Sequence, residues 1–407
     1  MTTKEDNDLL TRVEGDAPMG RMLRQHYWVP AVLSSRLETG GAPVRVKLFG
    51  KRYVAYRTHD GRVGFLNEAC PHRGVSLALA RNEDNALRCI FHGWKMCVTG
   101  EVLEVPNEAA NPEGFRKTVN VHHYPTVEGA GLVWTWLGEG ETPPPPNFEF
   151  MGLPANQAYA CGLELNSNWL QGVEATIDSS HIAVLHQSHL SHSQMDMAAT
   201  RVSNAVRYKF DDTPYGYRAA ALREGPDGEC LARVTEFIMP YYGLIPPINT
   251  GDDQDRTVII AVPIDDEHLI QWYIYYNTKR PTDSMKRTQR ANTWPMAGGI
   301  VNDADQHWGQ DRRLMANGNH TGFTDIVIED FVTQASMGPI VDRSEEYLCS
   351  ADQAIVRLRR HLMQSVKKFI AGEVPISAQS GSRDYSGITA TGGRMKSVED
   401  DWRVLPR

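Results

Sequence analysis

Short runs that alternate between apolar and polar residues dominate the first third of the chain. Rich in β-branched and aromatic residues and separated by Gly and Asp-Gly turns, they cover 43–49, 51–57, 63–66 and 131–137. Alternation with a period of two is typical of strands with one buried face, so this region predicts a small antiparallel β domain. Helical spacing of apolar positions over 17–26 predicts a helix that packs on this domain.

A run of prolines interrupts this pattern. Residues 138–142 contain Gly, Glu and Thr, and residues 143–146 are all proline. Proline fixes φ and has no N–H to donate within a helix or a sheet, so we place a linker at 138–155. The chain of 407 residues is longer than a single core usually supports, which agrees with two domains, 1–145 and 146–407.

The chain after the linker mixes helical and strand patterns. A polar helical pattern runs from Asn168 to His192, and apolar residues recur at helical spacing over 350–370. Strand patterns lie between them at 201–210, 217–223, 231–239, 256–263 and 268–276. We therefore predict an α+β fold, in which an N-terminal antiparallel β domain precedes an antiparallel sheet flanked by helices.

Composition narrows the class of protein. The 42 basic and 50 acidic residues give a formal net charge of −8 without a basic stripe, which argues against a nucleic-acid partner. No apolar run of about eighteen residues could span a bilayer, and the polar N-terminus lacks the features of an export signal. Six scattered cysteines do not form a disulfide framework. We expect a cytoplasmic protein with no membrane partner.

Two Cys-His pairs form the first candidate site. One residue separates Cys70 from His72, two residues separate Cys89 from His92, and sixteen residues lie between the pairs. In a Rieske [2Fe-2S] centre two thiolates bind one iron and two imidazoles bind the other. Zinc also accepts two Cys and two His and is the alternative. A glycine soon after each pair favours the cluster, because it lets backbone N–H groups approach the sulfurs.

A second candidate site follows in the first helical segment after the linker. Asp178, His181 and His186 form the pattern D-x-x-H-x4-H. Two His and one carboxylate on one face of Fe(II) leave the opposite positions open for O2, as in non-haem iron oxygenases. His189 and His192 are alternative imidazole ligands.

The spacing of the first two histidines predicts an irregular helix. Positions five apart lie about 140° from each other around an ideal α-helix, so His181 and His186 cannot share one face. We predict a π-type bulge or a break between them, an irregularity that is often found at functional sites. A regular helix over 178–192 would contradict this pair of ligands.

Four acidic residues could supply the third iron ligand, and the residues alone leave all four open. They are Asp325, Glu329, Asp330 and Asp342. Glu329 and Asp330 are neighbours, and their side chains diverge by about 100° on a helix. If the ligand is one of these two residues, substituting each of them separately by Ala should empty the iron site in only one of the two variants.

The strands predicted after the iron-binding segment supply candidate substrate contacts. Arg207 could bind a carboxylate through two hydrogen bonds, and Ser179 is a second candidate. The aromatic and apolar segment 241–247 suits one wall of a pocket for an aromatic ring. Arginines at similar strand positions are the alternatives Arg218, Arg223 and Arg233.

Several segments resemble a known enzyme family. CPHRGVSLALA and CIFHGWKMCVTGEV resemble the cluster loops of the Rieske non-haem iron aromatic-ring oxygenases, oxygenase component. Residues 8–13 with 18–20, 172–181 and 336–346 resemble the phthalate dioxygenase branch of this family. That branch includes aryl O-demethylases of the dehydrodivanillate type. The resemblance implies that Asp330 is the third iron ligand and that Asp178 relays electrons and protons between metal sites of adjacent subunits.

The resemblance also implies cofactors, partners and an activity. Each chain would carry one Rieske [2Fe-2S] cluster and one mononuclear Fe(II), use O2, and receive electrons from NADH through a separate flavin and ferredoxin-type reductase. The chains would form homotrimers, sometimes stacked as hexamers. The predicted reaction is O-demethylation of a lignin-type aromatic carboxylic acid with release of formaldehyde. The alternatives are a phthalate-type dioxygenase that forms a cis-dihydrodiol and a Rieske electron carrier without oxygenase activity.

Overall fold

The chain forms two compact units. A computed structural model describes residues 2–190, 205–225, 228–247, 254–283, 290, 298–378 and 384–405. One unit is Leu23–Pro145, and the other combines Met1–Met22 with Pro146–Arg407. The boundary after Pro145 falls within the stretch where the proline run predicts a linker.

Antiparallel sheets make up the Leu23–Pro145 unit. Its strands are β1 Trp28–Leu33, β2 Val44–Leu48, β3 Lys51–Arg57, β4 Val63–Asn67, β5 Arg81–Glu83, β6 Ala86–Arg88, β7 Lys95–Cys97, β8 Val102–Glu104, β9 Thr126–Gly129 and β10 Leu132–Trp136. They pair in the orders β1-β10-β9, β2-β3-β4 and β5-β6-β7-β8. The antiparallel β domain predicted from the alternating pattern is therefore confirmed.

The core of this unit encloses the two cysteines of the first candidate site. Cys70 and Cys89 are buried in one apolar cluster with side chains from β3, β4, β6, β7 and β8. Trp94 belongs to the same cluster. Burial of these apolar side chains is the main stabilising contribution available to a unit of this size, so the candidate site lies within its core.

One long antiparallel sheet forms the centre of the second unit. Its strands run in the order β12-β18-β17-β16-β15-β14-β13, and β20 also pairs with β15; β11 and β19 form a separate parallel pair. The bounds are β11 Asn147–Phe148, β12 Ala158–Leu165, β13 Arg207–Thr213, β14 Gly216–Glu224, β15 Cys230–Ile238, β16 Tyr242–Ile245, β17 Arg256–Pro263, β18 Leu269–Tyr276, β19 Asp384–Tyr385 and β20 Thr391–Met395.

α-Helices accompany the antiparallel sheets, and α4 packs on the long sheet, which confirms the predicted α+β class. The α-helices include α1 Lys4–Thr11, α2 Pro18–His26, α3 Pro112–Arg116, α4 Trp169–Ile177, α5 Ile182–Leu185, α6 Gln187–Leu190, α7 Arg312–Ala316, α8 Ile326–Ser336 and α9 Gln353–Ile370. Short 3-10 helices lie at Ser34–Arg36, Leu77–Leu79, Ala304–Gly309, Ser350–Asp352 and Trp402–Val404. Within the residues described, none of the helices combines the length and the apolar character needed to cross a membrane.

The helix α4 lies close against the long sheet. The Asn168 side chain caps it by accepting a hydrogen bond from the N–H of Leu170 (3.0 Å). At Gly243 of β16, a Cβ would lie 2.2 Å from Cγ2 of Thr176, so only glycine fits there without displacement. This close approach fixes the position of the end of α4, where the second candidate site begins.

The first residues of the chain differ from the sequence prediction, which placed them in the N-terminal domain. Leu10 and Val13 are fully buried, and α1 packs against α9 and α4 of the second unit. The N–H of Val13 donates to Oδ1 of Asp266 (2.7 Å), and the Asn7 side chain donates to the carbonyl of Val341 (3.0 Å). These remote partners hold residues 1–22 in the second unit.

Candidate functional site

Two short loops carry the four predicted cluster ligands. In the first loop, the N–H of Cys70 donates to the carbonyl of Val75 (2.8 Å), and the N–H of Gly74 donates to the carbonyl of Cys70 (2.8 Å). Gly74 has φ +77°, which glycine adopts without the steric cost of a Cβ. The loop therefore folds back tightly, with His72 in the turn.

The second loop repeats this arrangement. The N–H of Cys89 donates to the carbonyl of Trp94 (2.8 Å), the N–H of Gly93 donates to the carbonyl of Cys89 (3.0 Å), and φ of Gly93 is +74°. Each loop thus presents one Cys and one His from the same kind of turn. Two equivalent turns suit a centre in which each loop contributes to both irons.

The four side chains fit a metal cluster. The His72 and His92 rings lie 4.5 Å apart between centroids, and Nδ1 of His92 is buried with no hydrogen-bond partner. Cys70 and Cys89 are free thiols, and burial raises the pKa of Cys70 to about 11. A bond to iron would satisfy the buried nitrogen, and the metal charge would keep both sulfurs as thiolates.

Trp94 covers one side of the first imidazole. Its ring is nearly parallel to that of His72, with 8° between the planes and 4.6 Å between centroids. Its Nε1 donates to Oδ1 of Asn107 (2.7 Å), which fixes the orientation of the indole. The stacked indole limits the access of solvent to His72.

The helix that carries the second candidate site is irregular, as the spacing predicts. α4 ends at Ile177 and Asp178 is extended (φ −67°, ψ 124°). His181 precedes the single turn of α5, and His186 separates α5 from α6 (φ −94°, ψ 13°). The predicted irregularity is confirmed, although the break lies at His186 itself and takes no π form. Residues 191–192 of the predicted segment lie outside the described residues.

These breaks bring His181 and His186 together with Asp330 of α8. Oδ1 of Asp330 lies 3.5 Å from Nε2 of His181 and 3.2 Å from Nε2 of His186. The three side chains offer ligand atoms that all lie within 4.8 Å of one another. Two imidazoles and one carboxylate at such separations can bind one Fe(II) while other coordination positions stay open.

The electrostatics of this group favour a bound cation. Burial opposes protonation of His186, but Asp330 and Glu329 outweigh it and raise the pKa of His186 to about 9. The site thus stabilises positive charge at a buried imidazole, and a divalent ion in place of the proton would meet the same negative side chains. The residues therefore fit a mononuclear metal.

Asp178 lies directly beside the first histidine. It accepts hydrogen bonds from the N–H groups of Ser180 (2.7 Å) and His181 (3.2 Å), and its Oδ2 lies 3.1 Å from Nδ1 of His181. Burial raises the pKa of Asp178, but the bonds from His181 and Ser180 outweigh it and lower the pKa to about 2. Asp178 is therefore an ionised acceptor at the rear of His181, on the side away from Asp330.

The other acidic candidates occupy different positions. Glu329 is fully buried and its Oε2 lies 2.6 Å from Nδ1 of His186. Asp325 caps α8 by accepting from the N–H groups of Val327 and Ile328, and Asp342 is partly exposed and bonded to Ser344. The structure thus brings Asp330 to the two Nε2 atoms and leaves the other three with capping, surface or supporting contacts.

The alternative imidazoles are placed less favourably. Nε2 of His189 lies 3.5 Å from Oε1 of Glu329, without a hydrogen bond, on the Glu329 side of the site. His192 lies outside the described residues. Thr321, whose hydroxyl donates to Oε1 of Glu329, also lies on this side of the site. No pattern in the sequence indicates Thr321, because it precedes α8 in an irregular segment.

Arg207, the first predicted substrate contact, is an exposed residue of the sheet. It is on β13, at the edge of the described sheet, and its side chain is 65% exposed. Its closest acidic partners are Glu224 (3.9 Å) and Glu399 (3.8 Å). A contact between Arg207 and a substrate carboxylate stays a prediction.

Ser179, the other predicted substrate contact, is engaged by the sheet. Its N–H donates to the hydroxyl of Tyr208 (3.1 Å), and the fully buried Arg223 donates to its Oγ (3.3 Å) and to its carbonyl. Arg223 and Tyr208 therefore hold the turn that follows α4. The other candidates are also buried and occupied: Arg218 pairs with Glu236, and Arg233 donates to the carbonyls of Pro246 and Pro247.

Two protein families match the chain, and each match contains one of the candidate sites. Residues 27–125 match the family described as Rieske [2Fe-2S] domain, and they contain both Cys-His loops. Residues 135–406 match the family described as LigXa C-terminal domain like, and they contain His181, His186 and Asp330. Together the two matches cover almost the whole chain.

Curated relatives and solved structures point the same way. The phthalate 4,5-dioxygenase oxygenase subunit of Pseudomonas putida is 35% identical, over 99% of this chain and 94% of that protein. The 5,5'-dehydrodivanillate O-demethylase oxygenase subunit of Sphingobium sp. (strain NBRC 103272 / SYK-6) is 28% identical, over 92% and 83%. Dicamba monooxygenase bound to dicamba shares the fold with a TM-score of 0.63 at 18% identity, over 86% of this chain and 100% of that chain. The chain therefore belongs to the oxidoreductase family of Rieske non-haem iron oxygenases, as an oxygenase component.

Proposed function

We propose that this chain oxidises an aromatic carboxylic acid with O2 and electrons derived from NADH. The observation that carries the proposal is the group of His181, His186 and Asp330, with ligand atoms within 4.8 Å of one another, in a chain that also has two Cys-His loops. A separate electron carrier would need the loops alone. The second group of ligands therefore favours an oxygenase over the carrier alternative.

The two groups of side chains have different roles in this proposal. Cys70, His72, Cys89 and His92 would hold the cluster, and His181, His186 and Asp330 would hold the mononuclear iron. When bound, the cluster supplies single electrons and the iron supplies the activation of O2. Asp178 would accept a hydrogen bond from Nδ1–H of His181 and so keep this ring in place, and the family resemblance would put it on the path of electrons and protons between adjacent subunits.

Two reactions of this class are candidates. Ring dihydroxylation is favoured by relatives named as a phthalate 4,5-dioxygenase and a 3-chlorobenzoate-3,4-dioxygenase, which are 35% and 33% identical. O-demethylation with release of formaldehyde is the prediction from the sequence, and the relative named as an O-demethylase is 28% identical. We place dihydroxylation to a cis-dihydrodiol first and O-demethylation of a lignin-type acid second, because the identity is higher for the dioxygenases.

Product analysis tests the proposal. The purified chain would be incubated with NADH, O2 and a flavin and ferredoxin-type reductase, with phthalate, 3-chlorobenzoate and methoxylated aromatic acids as substrates. A cis-dihydrodiol supports the first reaction, and stoichiometric formaldehyde supports the second. Asp330→Ala serves as the control and should give neither product. Transfer of electrons without any oxygenated product from the whole panel would contradict the proposed oxygenase.

The partners follow from the same proposal. We propose a flavin and ferredoxin-type reductase as the electron donor and a homotrimer, or two stacked trimers in a hexamer, as the working assembly. We also propose the cytoplasm as the compartment, since all six cysteines are free and a reducing environment would keep them so. Light scattering of the purified chain tests the trimer, with a monomer as the contradicting result.

A further inference from the structure

We propose that Glu329 is a positioning residue, which holds His186 in the orientation and tautomer that binding of the mononuclear metal requires. The inference rests on the proposed function, because it concerns the same metal site. It adds to the site a residue that is not itself a ligand. The contacts on both sides of the His186 ring carry the inference.

The two nitrogens of His186 face opposite partners. Nδ1 lies 2.6 Å from Oε2 of Glu329, and Nε2 lies 3.2 Å from Oδ1 of Asp330. An ionised carboxylate can only accept a hydrogen bond, so Nδ1 carries the proton in the neutral ring. The lone pair is then on Nε2, the nitrogen that faces Asp330 and His181. Glu329 thus selects the tautomer that can bind a metal there.

Glu329 is itself held in place from outside the metal site. It is completely buried in α8, next to Asp330 in the chain. The hydroxyl of Thr321 donates to its Oε1. Asp325 caps the helix, which fixes the backbone that carries both acidic residues. The carboxylate therefore presents a fixed acceptor to His186.

The corresponding contact at the other histidine differs in strength. Nδ1 of His181 lies 3.1 Å from Oδ2 of Asp178, whose side chain is 20% exposed, whereas the Glu329 side chain has no exposed surface. A shorter contact in a drier environment constrains the ring more strongly. Glu329 should therefore contribute more to the affinity for the metal than Asp178 does.

The experiment measures binding of Co(II), used as a probe, to protein that retains the Rieske cluster. Glu329→Gln keeps the size of the side chain but removes its charge. We expect Co(II) to bind about 10–100-fold more weakly, the usual effect of losing an outer partner of a ligating His, and its d–d absorption bands to change. A structural role alone would change the stability but leave the d–d bands of bound Co(II) as in the wild type.

Glu236→Gln is the matched control, because Glu236 is also buried in this unit but pairs with Arg218 and Tyr215 away from the site. It should bind Co(II) like the wild type. Thr321→Val removes the hydroxyl that holds Glu329, so it should weaken Co(II) binding, but less than Glu329→Gln does. If Glu329→Gln does not fold, Thr321→Val tests the inference in its place. Wild-type affinity and bands in Glu329→Gln, or in Thr321→Val if only that variant folds, would overturn the inference.

The outcome also separates this inference from the proposed function. If wild-type protein binds Co(II) and Asp330→Ala does not, the metal site stands and only the effect of Glu329→Gln decides the inference. If wild-type protein binds no Co(II), the proposed function fails and the inference fails with it.

Discussion

At the scale of single residues, two adjacent acids in α8 have different partners. Asp330 faces the Nε2 atoms of His181 and His186, whereas Glu329 meets Nδ1 of His186 from behind. Successive residues on a helix point about 100° apart, so one imidazole fits between the two carboxylates. Two consecutive residues thus supply the proposed metal ligand, Asp330, and the carboxylate that holds the His186 ring, Glu329.

Loss of the Asp330 carboxylate should empty the mononuclear site. In Asp330→Ala, two imidazoles remain, and we expect iron content to fall by about one third, because the two cluster irons stay in place. Metal analysis together with the electron paramagnetic resonance signal of the reduced cluster checks this. Asp342→Ala, at a partly exposed acid, should keep all the iron. Full iron in Asp330→Ala would show that another residue is the ligand.

The sequence predicted the ligand types but not every contact. The Cys-His loops and the His pair are local patterns, so their spacing reveals them. The exposure of Arg207 was not predicted, because alternation along a strand shows which residues share a face but not which face solvent covers. Thr321, Tyr208 and Arg223 reach the site from segments remote in sequence, and no local pattern predicts their contacts.

At the scale of elements, strands with clear alternation or long β-rich runs were predicted well. β3 and β17 have the bounds that the sequence predicts, 51–57 and 256–263. β12 was not predicted from the sequence, and the pattern of Tyr242–Ile245 indicated part of a pocket wall instead of β16. That four-residue strand ends at a Pro-Pro pair, which resembles a loop, and its pairing with β15 and β17 depends on tertiary structure.

A buried ion cluster joins the elements around α4. Glu174 of α4 accepts hydrogen bonds from Arg343 (2.9 Å) and from Arg359 of α9 (2.7 Å). Burial raises the pKa of Glu174, but the two guanidinium groups outweigh it and lower the pKa below 4.5. The ionised form is thus preferred in the folded protein, so the cluster stabilises the fold above the ordinary pKa of Glu and less as the pH falls below it.

Glu174→Gln should lower the free energy of unfolding by about 3 kcal/mol at pH 7, because it leaves the buried Arg343 without a carboxylate and Arg359 with Glu346 alone. The difference from the wild type should shrink as the pH falls below about 4.5, the ordinary pKa of Glu. Urea unfolding followed by tryptophan fluorescence over this range measures both effects. Glu399→Gln, at an exposed acid, is the control and should change little. An equal difference at pH 7 and pH 4 would contradict this prediction.

At the scale of the whole molecule, the two metal groups lie in separate compact units. In the proposed trimer, electrons pass from the cluster of one subunit to the iron of the next. Cys89→Ser and Asp330→Ala should each be inactive alone. Mixed trimers from co-expression should regain about one quarter of wild-type activity, since that share of adjacent pairs combines an intact cluster with an intact iron site.

Separately expressed variants, mixed after purification under conditions without subunit exchange, are the control and should stay inactive. Activity at the level of the parents in verified mixed trimers would exclude transfer between subunits.

In the sequence, the whole Leu23–Pro145 unit lies between the first helix and the helices on which it packs. Leu23–Pro145 is continuous in sequence, whereas α1 packs on α9, which begins at Gln353. As the ribosome releases the chain from its N-terminus, the inserted unit can complete its hydrogen bonds while α1 still lacks its docking surface. The complete surface on which α1 docks therefore exists only once α9, more than 300 residues downstream, has been translated.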